Sequence, residues 1–127
     1  MKYLLDTHTI FWAAENNPLL SEKAKEIILD DHSEKYISIV SAWEVAIKLG
    51  TQKLYIDGGL PEFFKIIDEN GLIMLSVERE YLQLIPIFPG YHKDPFDHLI
   101  IATAISEGLI VVTGDKNIHR YNVICLW

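Results

Sequence analysis

Residues 109–115, Leu-Ile-Val-Val-Thr-Gly-Asp, form a continuously apolar run that ends in a glycine and an acid. Residues 2–6, Lys-Tyr-Leu-Leu-Asp, have a similar form near the N-terminus, and both runs have the length of a buried β-strand. Strands that are apolar throughout and alternate with helices indicate a parallel sheet covered on both faces. We therefore predict an α/β fold, a three-layer α/β/α sandwich with a mainly parallel central sheet.

Helical segments separate the predicted strands along the chain. Ser21 is a good N-cap for one helix, and Asp94 followed by proline is a good start for another, which Gly108 ends. Residues 36–40 are rich in β-forming residues, and the following Ser41-Ala42-Trp43-Glu44 is a capping-box pattern that opens a helix. The remaining predicted elements are helices over 9–14, from residue 60 to the stop at Asn70-Gly71, and around 79–84, and strands over 72–77 and 123–127.

The composition predicts one domain in a reducing compartment. With 127 residues, half of them apolar, the chain can bury a hydrophobic core as a single domain over 1–127. Cys125 is the only cysteine, so no internal disulfide can form and the cytoplasm is the expected location. The first residues resemble neither a signal peptide nor a membrane span, so we expect no membrane association.

The net charge bears on the class of ligand. A formal charge of −7 argues against a nucleic-acid partner, because non-specific binding to phosphate usually needs a basic face. That objection weakens if the acids are concentrated in one place and balanced by a bound divalent cation, which then presents positive charge to phosphate. The positions of the acids therefore become the decisive question.

Four acids occupy equivalent places in the predicted fold. Asp6 and Asp115 follow strands, while Glu44 and Asp97 lie in the first turns of predicted helices. Ligands of parallel sheets bind outside the carboxyl ends of the strands, so the fold could bring all four together. Two carboxylates about 4 Å apart repel by roughly 4 kcal/mol at an effective dielectric near 20, so such a cluster requires protons or a cation. Oxygen ligands favour Mg²⁺ or Mn²⁺, and the chain has no cysteine cluster or paired histidines that would suit zinc.

Each acid also has a structural interpretation. Glu44 stands three residues after Ser41, where the capping box explains it completely. Asp97 stands three residues after the expected cap Asp94, where a negative charge favours the positive end of a helix. Asp115 could belong to a plain turn, whereas Asp6 has no obvious structural duty.

Other polar side chains are weaker candidates. No pair of histidines has ligand spacing, so we assign none of His8, His92, His98 and His119 to the site. The basic residues that could touch RNA phosphate are Lys48, Lys53, Lys93, Lys116 and Arg120.

Four short motifs, taken in order, resemble those of a known family. They are Leu4-Leu5-Asp6-Thr7-His8, Ser41-Ala42-Trp43-Glu44-Val45-Ala46-Ile47-Lys48, His92-Lys93-Asp94-Pro95-Phe96-Asp97 and Val112-Thr113-Gly114-Asp115. The ordered set is similar to the PIN-domain family, and within it to the VapC-type toxins of type II toxin–antitoxin pairs. The resemblance spans nearly the whole chain.

This resemblance implies a Mg²⁺- or Mn²⁺-dependent endoribonuclease that inhibits translation. Its acidic and metal-binding site would consist of Asp6, Glu44, Asp97 and Asp115, with Asp6 and Asp97 as the preferred direct ligands. The implied partners are RNA, a small VapB-like antitoxin and a second copy of the chain. We expect the antitoxin to bind through an amphipathic helix with basic residues. The secondary site candidates are Asp94, Thr113, Thr7 and Lys48, and His98 stands where the subgroup often has an arginine.

Two other functions remain open from the sequence. A receiver-like or phosphatase-like domain also places acids at the ends of parallel strands and could use Asp6, Thr113 and Lys116. It lacks an obvious nucleophilic aspartate after the strand at 36–40. A non-catalytic acidic α/β module that docks a basic peptide is the third possibility.

Overall fold

Five strands form one central sheet in the computed structural model, which describes residues 1–127. The strands are β1 (Lys2–Leu5), β2 (Glu34–Ser38), β3 (Ile73–Leu75), β4 (Ile110–Val112) and β5 (Cys125–Leu126). They lie in the order β3-β2-β1-β4-β5, and every neighbouring pair runs parallel. The predicted parallel sheet is confirmed.

Helices cover both faces of this sheet. They are α1 (Thr7–Ala14), α2 (Glu22–Leu29), α3 (Ile39–Gly50), α4 (Gly59–Glu69), α5 (Arg79–Leu84) and α6 (Pro95–Glu107). Leu5 of β1 belongs to a buried cluster with residues of α1 to α4, whereas its neighbour Leu4 belongs to a second cluster with residues of α6. Since successive strand residues point to opposite faces, these two clusters are the two interfaces of a three-layer sandwich. No helix is both long and apolar enough to cross a membrane.

The order of the strands locates the crevice in which such sheets bind ligands. The chain builds outward from β1 to β2 and β3, and then returns to place β4 on the other side of β1. Parallel sheets bind ligands outside the carboxyl ends of the strands at such a reversal. This order also rules out the receiver-like alternative, because receiver sheets have the order 2-1-3-4-5.

The beginning of α3 differs from the sequence prediction. The preceding strand ends at Ser38, whose hydroxyl accepts a hydrogen bond from the amide of Val40 at 3.1 Å and caps the helix. Ser41 is therefore inside the helix, where its buried hydroxyl has no hydrogen-bond partner. The predicted capping box is wrong, because the packing of α3 on the sheet extends the helix through Ile39 and Val40 despite their β propensity. Capping consequently does not explain Glu44, which lies in the second turn.

The beginning of α6 agrees with the sequence prediction. Asp94 accepts hydrogen bonds from the amides of Phe96 and Asp97, and Pro95 is the first helical residue. Gly108 ends the helix with a φ of 66°, a left-handed conformation that glycine adopts without strain. Asp97 therefore lies in the first turn, as predicted.

Candidate active site

Asp6 lies at the carboxyl end of β1 and is held by three hydrogen bonds. One carboxylate oxygen accepts from the amide of Thr9 at 2.8 Å and from its hydroxyl at 2.7 Å. The other accepts from the hydroxyl of Thr113. Asp6 is thus the N-cap of α1, a structural duty that the sequence analysis missed, and its buried carboxylate has a fixed orientation.

Thr113 connects Asp6 to Asp115 across the end of β4. Its hydroxyl donates to Asp6 and accepts from the amide of Asp115 at 3.0 Å. Gly114 lies between Thr113 and Asp115 and allows the ring of Trp127 to pack on the backbone, since a Cβ atom there would lie 2.8 Å from that ring. One oxygen of Asp115 accepts from the amide of Asn117 at 2.9 Å, which makes the predicted turn, and the other has no hydrogen bond from the protein.

Glu44 approaches the same place from α3. Its Oε1 accepts from the hydroxyl of Thr7 at 3.2 Å, and its Oε2 lies 3.1 Å from Nζ of Lys48, one helical turn later. Thr7 directly follows Asp6, so this hydrogen bond brings Glu44 to the carboxyl end of β1. Lys48 supplies positive charge to this side of the site.

Asp97 lies in a less balanced environment. Its Oδ2 is 3.0 Å from Nε2 of His92, and its Oδ1 has no hydrogen bond from the protein. Burial and the negative charges of Asp94 and Asp115 raise the pKa of Asp97 to about 6, although the hydrogen bond from His92 acts in the opposite direction. The negative charge of an ionised Asp97 is therefore less well compensated here than it would be in water.

The four predicted acids form two groups in the structure. The hydroxyl of Thr7 holds Glu44 beside Asp6, its neighbour in the chain, and the hydroxyl of Thr113 bonds the carboxylate of Asp6 and the amide of Asp115. The charge of Asp115 in turn acts on Asp97. No three carboxylate, imidazole or thiol groups lie close enough together to ligate one ion as they stand. The carboxylates repel one another, and each one accepts hydrogen bonds or pairs with a cation of its own.

A comparison with known proteins identifies the family of this chain. The profile of the PIN domain matches residues 3–124. The chain belongs to the PIN-domain family. Ribonuclease VapC22 of Mycobacterium tuberculosis (strain ATCC 25618 / H37Rv) is 29% identical over 124 residues, which cover 93% of this chain and 92% of that relative.

Solved structures share the fold of this PIN domain. The VapBC2 structure from Rickettsia felis, bound to a DNA fragment from its promoter, contains a chain with a TM-score of 0.75 and 18% identity; the match covers 99% of this chain and 98% of that one. A chain of VapBC-1 from nontypeable Haemophilus influenzae has a TM-score of 0.67 and 16% identity, with 99% of this chain and 97% of that one covered. At these identities the likeness shows the fold alone.

The secondary candidates differ in how they relate to the acids of the PIN domain. Thr7, Thr113 and Lys48 contact acidic side chains directly, whereas Asp94 caps α6 and affects Asp97 through its charge. These contacts make Thr7, Thr113 and Lys48 the better-placed secondary candidates.

The sequence analysis did not assign His92, which contacts Asp97. Its only signal was its nearness to Asp97 in the sequence, because the spacing rules for paired ligands do not detect a single ring. His98, at the position where the resembled subgroup often has an arginine, lies 2.9 Å from the carbonyl of His92 and 3.2 Å from the hydroxyl of Tyr121.

Proposed function

We propose that this PIN domain, acting as a single nuclease domain, is a divalent-cation-dependent endoribonuclease and the toxin of a VapBC-type pair that inhibits translation in the cytoplasm. The observation that carries the proposal is the acidic site at the reversal of the strand order, where burial and neighbouring negative charges raise the pKa of Asp97. The name of the Mycobacterium tuberculosis relative, a ribonuclease, supports RNA as the substrate.

The donors at this site suit Mg²⁺ or Mn²⁺. They are carboxylate and hydroxyl oxygens, and free oxygens remain on Asp97 and Asp115. Small hard cations prefer such ligands, and a cation would relieve the repulsion that raises the pKa of Asp97. Asp6 and Asp97 would hold the ion directly, while Glu44 and Asp115 would ligate it or orient a water molecule.

The residues of the chain have separate tasks in this mechanism. When bound, the ion offsets charge on the scissile phosphate and promotes ionisation of the attacking water. Thr113 keeps Asp6 in one orientation and fixes the amide of Asp115 beside it. Thr7 and Lys48 hold the two oxygens of Glu44. Because the acids are fixed before RNA arrives, little ordering is required when phosphate binds.

The central test is cleavage of single-stranded RNA by protein free of contaminating nucleases. We expect cleavage with Mg²⁺ or Mn²⁺, no cleavage in excess EDTA, and products with 3′-hydroxyl and 5′-phosphate ends, since water is the nucleophile. Cleavage in EDTA would contradict the cation requirement, and cyclic phosphate ends would instead identify the ribose hydroxyl as the nucleophile. Absence of cleavage with either metal would favour the non-catalytic binding module.

Glu44→Gln sharpens this test because capping no longer explains Glu44. The substitution keeps the size of the side chain and removes its charge, so we expect a folded protein that cleaves RNA at least about 100-fold more slowly. Glu26→Gln is the matched control, because Glu26 is exposed on α2 and far from the site in sequence. A Glu44→Gln protein as active as this control would remove Glu44 from the proposed site.

The antitoxin is proposed to bind an apolar groove between α1, α2 and α4. The groove has a volume of about 250 Å³ and nine of its twelve lining residues are hydrophobic, among them Ala13, Leu20, Ile28 and Ile66. An amphipathic helix fits such a groove, and basic residues beside it would complement a chain with a net charge of −7. We therefore expect the complex to weaken as the salt concentration rises.

Leu29→Lys tests the groove without disturbing the core. Leu29 lines the groove and is 69% exposed, so a lysine there should weaken antitoxin binding and leave RNA cleavage unchanged. Ile124→Lys is the control, because Ile124 is equally exposed but does not line the groove. Equal binding by both variants in titration calorimetry would contradict this docking site.

Homodimerisation is a separate proposal. An apolar stripe on α3, formed by Ile39, Trp43 and Ile47, is 39%, 59% and 41% exposed along one helix face. The Trp43 ring also contacts Phe96 at 5.2 Å between ring centroids. Light scattering at micromolar concentration should give the mass of two chains, and Ile39→Lys should shift it towards one.

A further inference from the structure

A chain of hydrogen bonds ends at Asp97, and it includes no other proposed metal ligand. His92 lies between Asp97 and Tyr121: its Nε2 is 3.0 Å from Asp97 Oδ2 and its Nδ1 is 2.8 Å from the Tyr121 hydroxyl. His98 follows, with its Nε2 3.2 Å from the same hydroxyl and 2.9 Å from the carbonyl oxygen of His92. We call this series the His98–Asp97 chain.

The chemistry of these groups permits one consistent placement of protons in the His98–Asp97 chain. A carbonyl oxygen only accepts, so Nε2 of His98 must carry a proton, which it shares between the carbonyl and the Tyr121 oxygen. Tyr121 is then free to donate its own proton to Nδ1 of His92. Because an ionised Asp97 only accepts, a neutral His92 beside it carries its proton on Nε2 and accepts at Nδ1.

Packing keeps these groups in place. Tyr121 is 5% exposed, and its ring contacts Phe88 at 5.5 Å and Tyr91 at 5.1 Å between ring centroids. The side chains of His92 and Asp97 are 12% and 16% exposed. These ring contacts hold Tyr121, and therefore its hydroxyl, in place. His92 cannot turn away from Asp97 without losing a hydrogen bond at each ring nitrogen.

We propose that His92 is a positioning residue that sets the orientation of the Asp97 carboxylate, and that Tyr121 and His98 set the tautomer and ring plane of His92. This inference rests on the proposed function in taking Asp97 as a carboxylate of the active site. Oδ2 is held by the ring, and Oδ1 stays available for a ligand. Partners of this kind orient a ligating group before it binds, and their loss typically costs about 10- to 100-fold in affinity or activity.

The first measurement is the tautomer of His92 in metal-free protein. Long-range ¹H–¹⁵N spectra near pH 8 should show the proton of His92 on Nε2, and His92→Gln identifies the signals. In Tyr121→Phe, which keeps the ring and removes only the hydroxyl, the fraction of His92 with its proton on Nδ1 should rise. A wild-type His92 with its proton on Nδ1, or a tautomer that Tyr121→Phe does not change, would overturn the proposal.

The second measurement uses Mn²⁺ alone, followed by paramagnetic resonance, together with RNA cleavage. Tyr121→Phe should remain folded, and it should bind Mn²⁺ and cleave RNA about 10- to 100-fold less well than the wild type. Tyr91→Phe is the matched control. Its hydroxyl belongs to the same aromatic cluster but makes no hydrogen bond. His92→Gln, which keeps an N–H donor, should retain more activity than His92→Leu.

The outcomes separate the two proposals. A wild-type protein that cleaves RNA, together with a Tyr121→Phe variant equal to it in Mn²⁺ affinity and cleavage, would overturn the positioning role and leave the nuclease function standing. A wild-type protein without cleavage would contradict the nuclease function, and the tautomer spectra would still decide whether Tyr121 holds His92 against Asp97.

Discussion

Asp6 is buried at the end of β1 and Asp97 is partly buried at the start of α6, and their environments differ. Asp6 accepts three hydrogen bonds from Thr9 and Thr113, which together engage both of its oxygens. Asp97 has one ring nitrogen as a partner, and burial among negative charges raises its pKa to about 6. Burial alone therefore does not determine the state of a carboxylate, because the number of donors that face it matters as much. The carboxylate at the end of β1 is fixed by hydrogen bonds, whereas the carboxylate at the start of α6 has fewer donors.

The largest effect should be the loss of cleavage in both Asp6→Asn and Asp97→Asn. Each substitution removes one anionic oxygen ligand, so we expect RNA cleavage to fall by more than about 100-fold. Asp57→Asn, at an exposed position outside the site, should cleave RNA like the wild type. If only one of the two variants loses activity, the acids do not act on the same ion.

Thr113→Val should reveal the scaffold at the end of β1. The substitution preserves the shape of a fully buried side chain but leaves an oxygen of Asp6 and the amide of Asp115 unpaired. We expect unfolding in urea to show a loss of about 1–3 kcal/mol. Thr103→Val is the control, because this buried hydroxyl bonds only to the carbonyl of Leu99 within α6, and it should lose less. Equal losses would mean that the contact with Asp6 is unimportant for stability.

The raised pKa of Asp97 should make the stability of the protein depend on pH. Because the folded state raises the pKa of Asp97 from 3.8 to about 6, it binds a proton more tightly than the unfolded chain does. The contribution of Asp97 to stability is therefore greatest below pH 4 and declines as the pH rises to about 6, on the order of 2 kcal/mol in all.

Asp97→Asn should remove this decline. Relative to the wild type, the variant should become more stable as the pH rises from about 4 to 7, and Mn²⁺ should raise its melting temperature less. Parallel curves of stability against pH for the two proteins, measured without metal, would show that folding does not raise the pKa of Asp97.

Lys48→Met should have the smallest effect. Lys48 and Glu44 are 3.1 Å apart on one helix, but the lysine side chain is 38% exposed, so we expect a loss of about 0.3–0.5 kcal/mol. Lys65→Met is the control, since its pair with Glu69 has the same helical spacing at 3.8 Å and is more exposed. A loss of several kcal/mol for Lys48→Met would place it in the scaffold with Asp6 and Thr113.

The sequence predicted best those elements whose start, end or apolar pattern is set by residues within the element itself. Helix α6 has a capping acid, a proline and a terminal glycine within its own stretch, and β1 and β4 are short apolar runs. Helix α3 was placed too late, because Ser38 and Ser41 can both cap and the two residues after Ser38 are β-branched. Packing on the sheet decided between them.

By itself, the sequence determined that Asp6, Asp97 and Asp115 stand at the ends or beginnings of elements in a parallel α/β fold, whereas Glu44 proved to lie in the second turn of its helix. Only the tertiary structure decided what each acid contacts. Thr113 and Asp6 are 107 positions apart in the sequence, and they meet because β4 pairs with β1. His92, which contacts Asp97, also lies 2.8 Å from the hydroxyl of Tyr121, 29 positions away. Local signals act over a few residues, whereas the partners of a buried carboxylate depend on strand order and loop path.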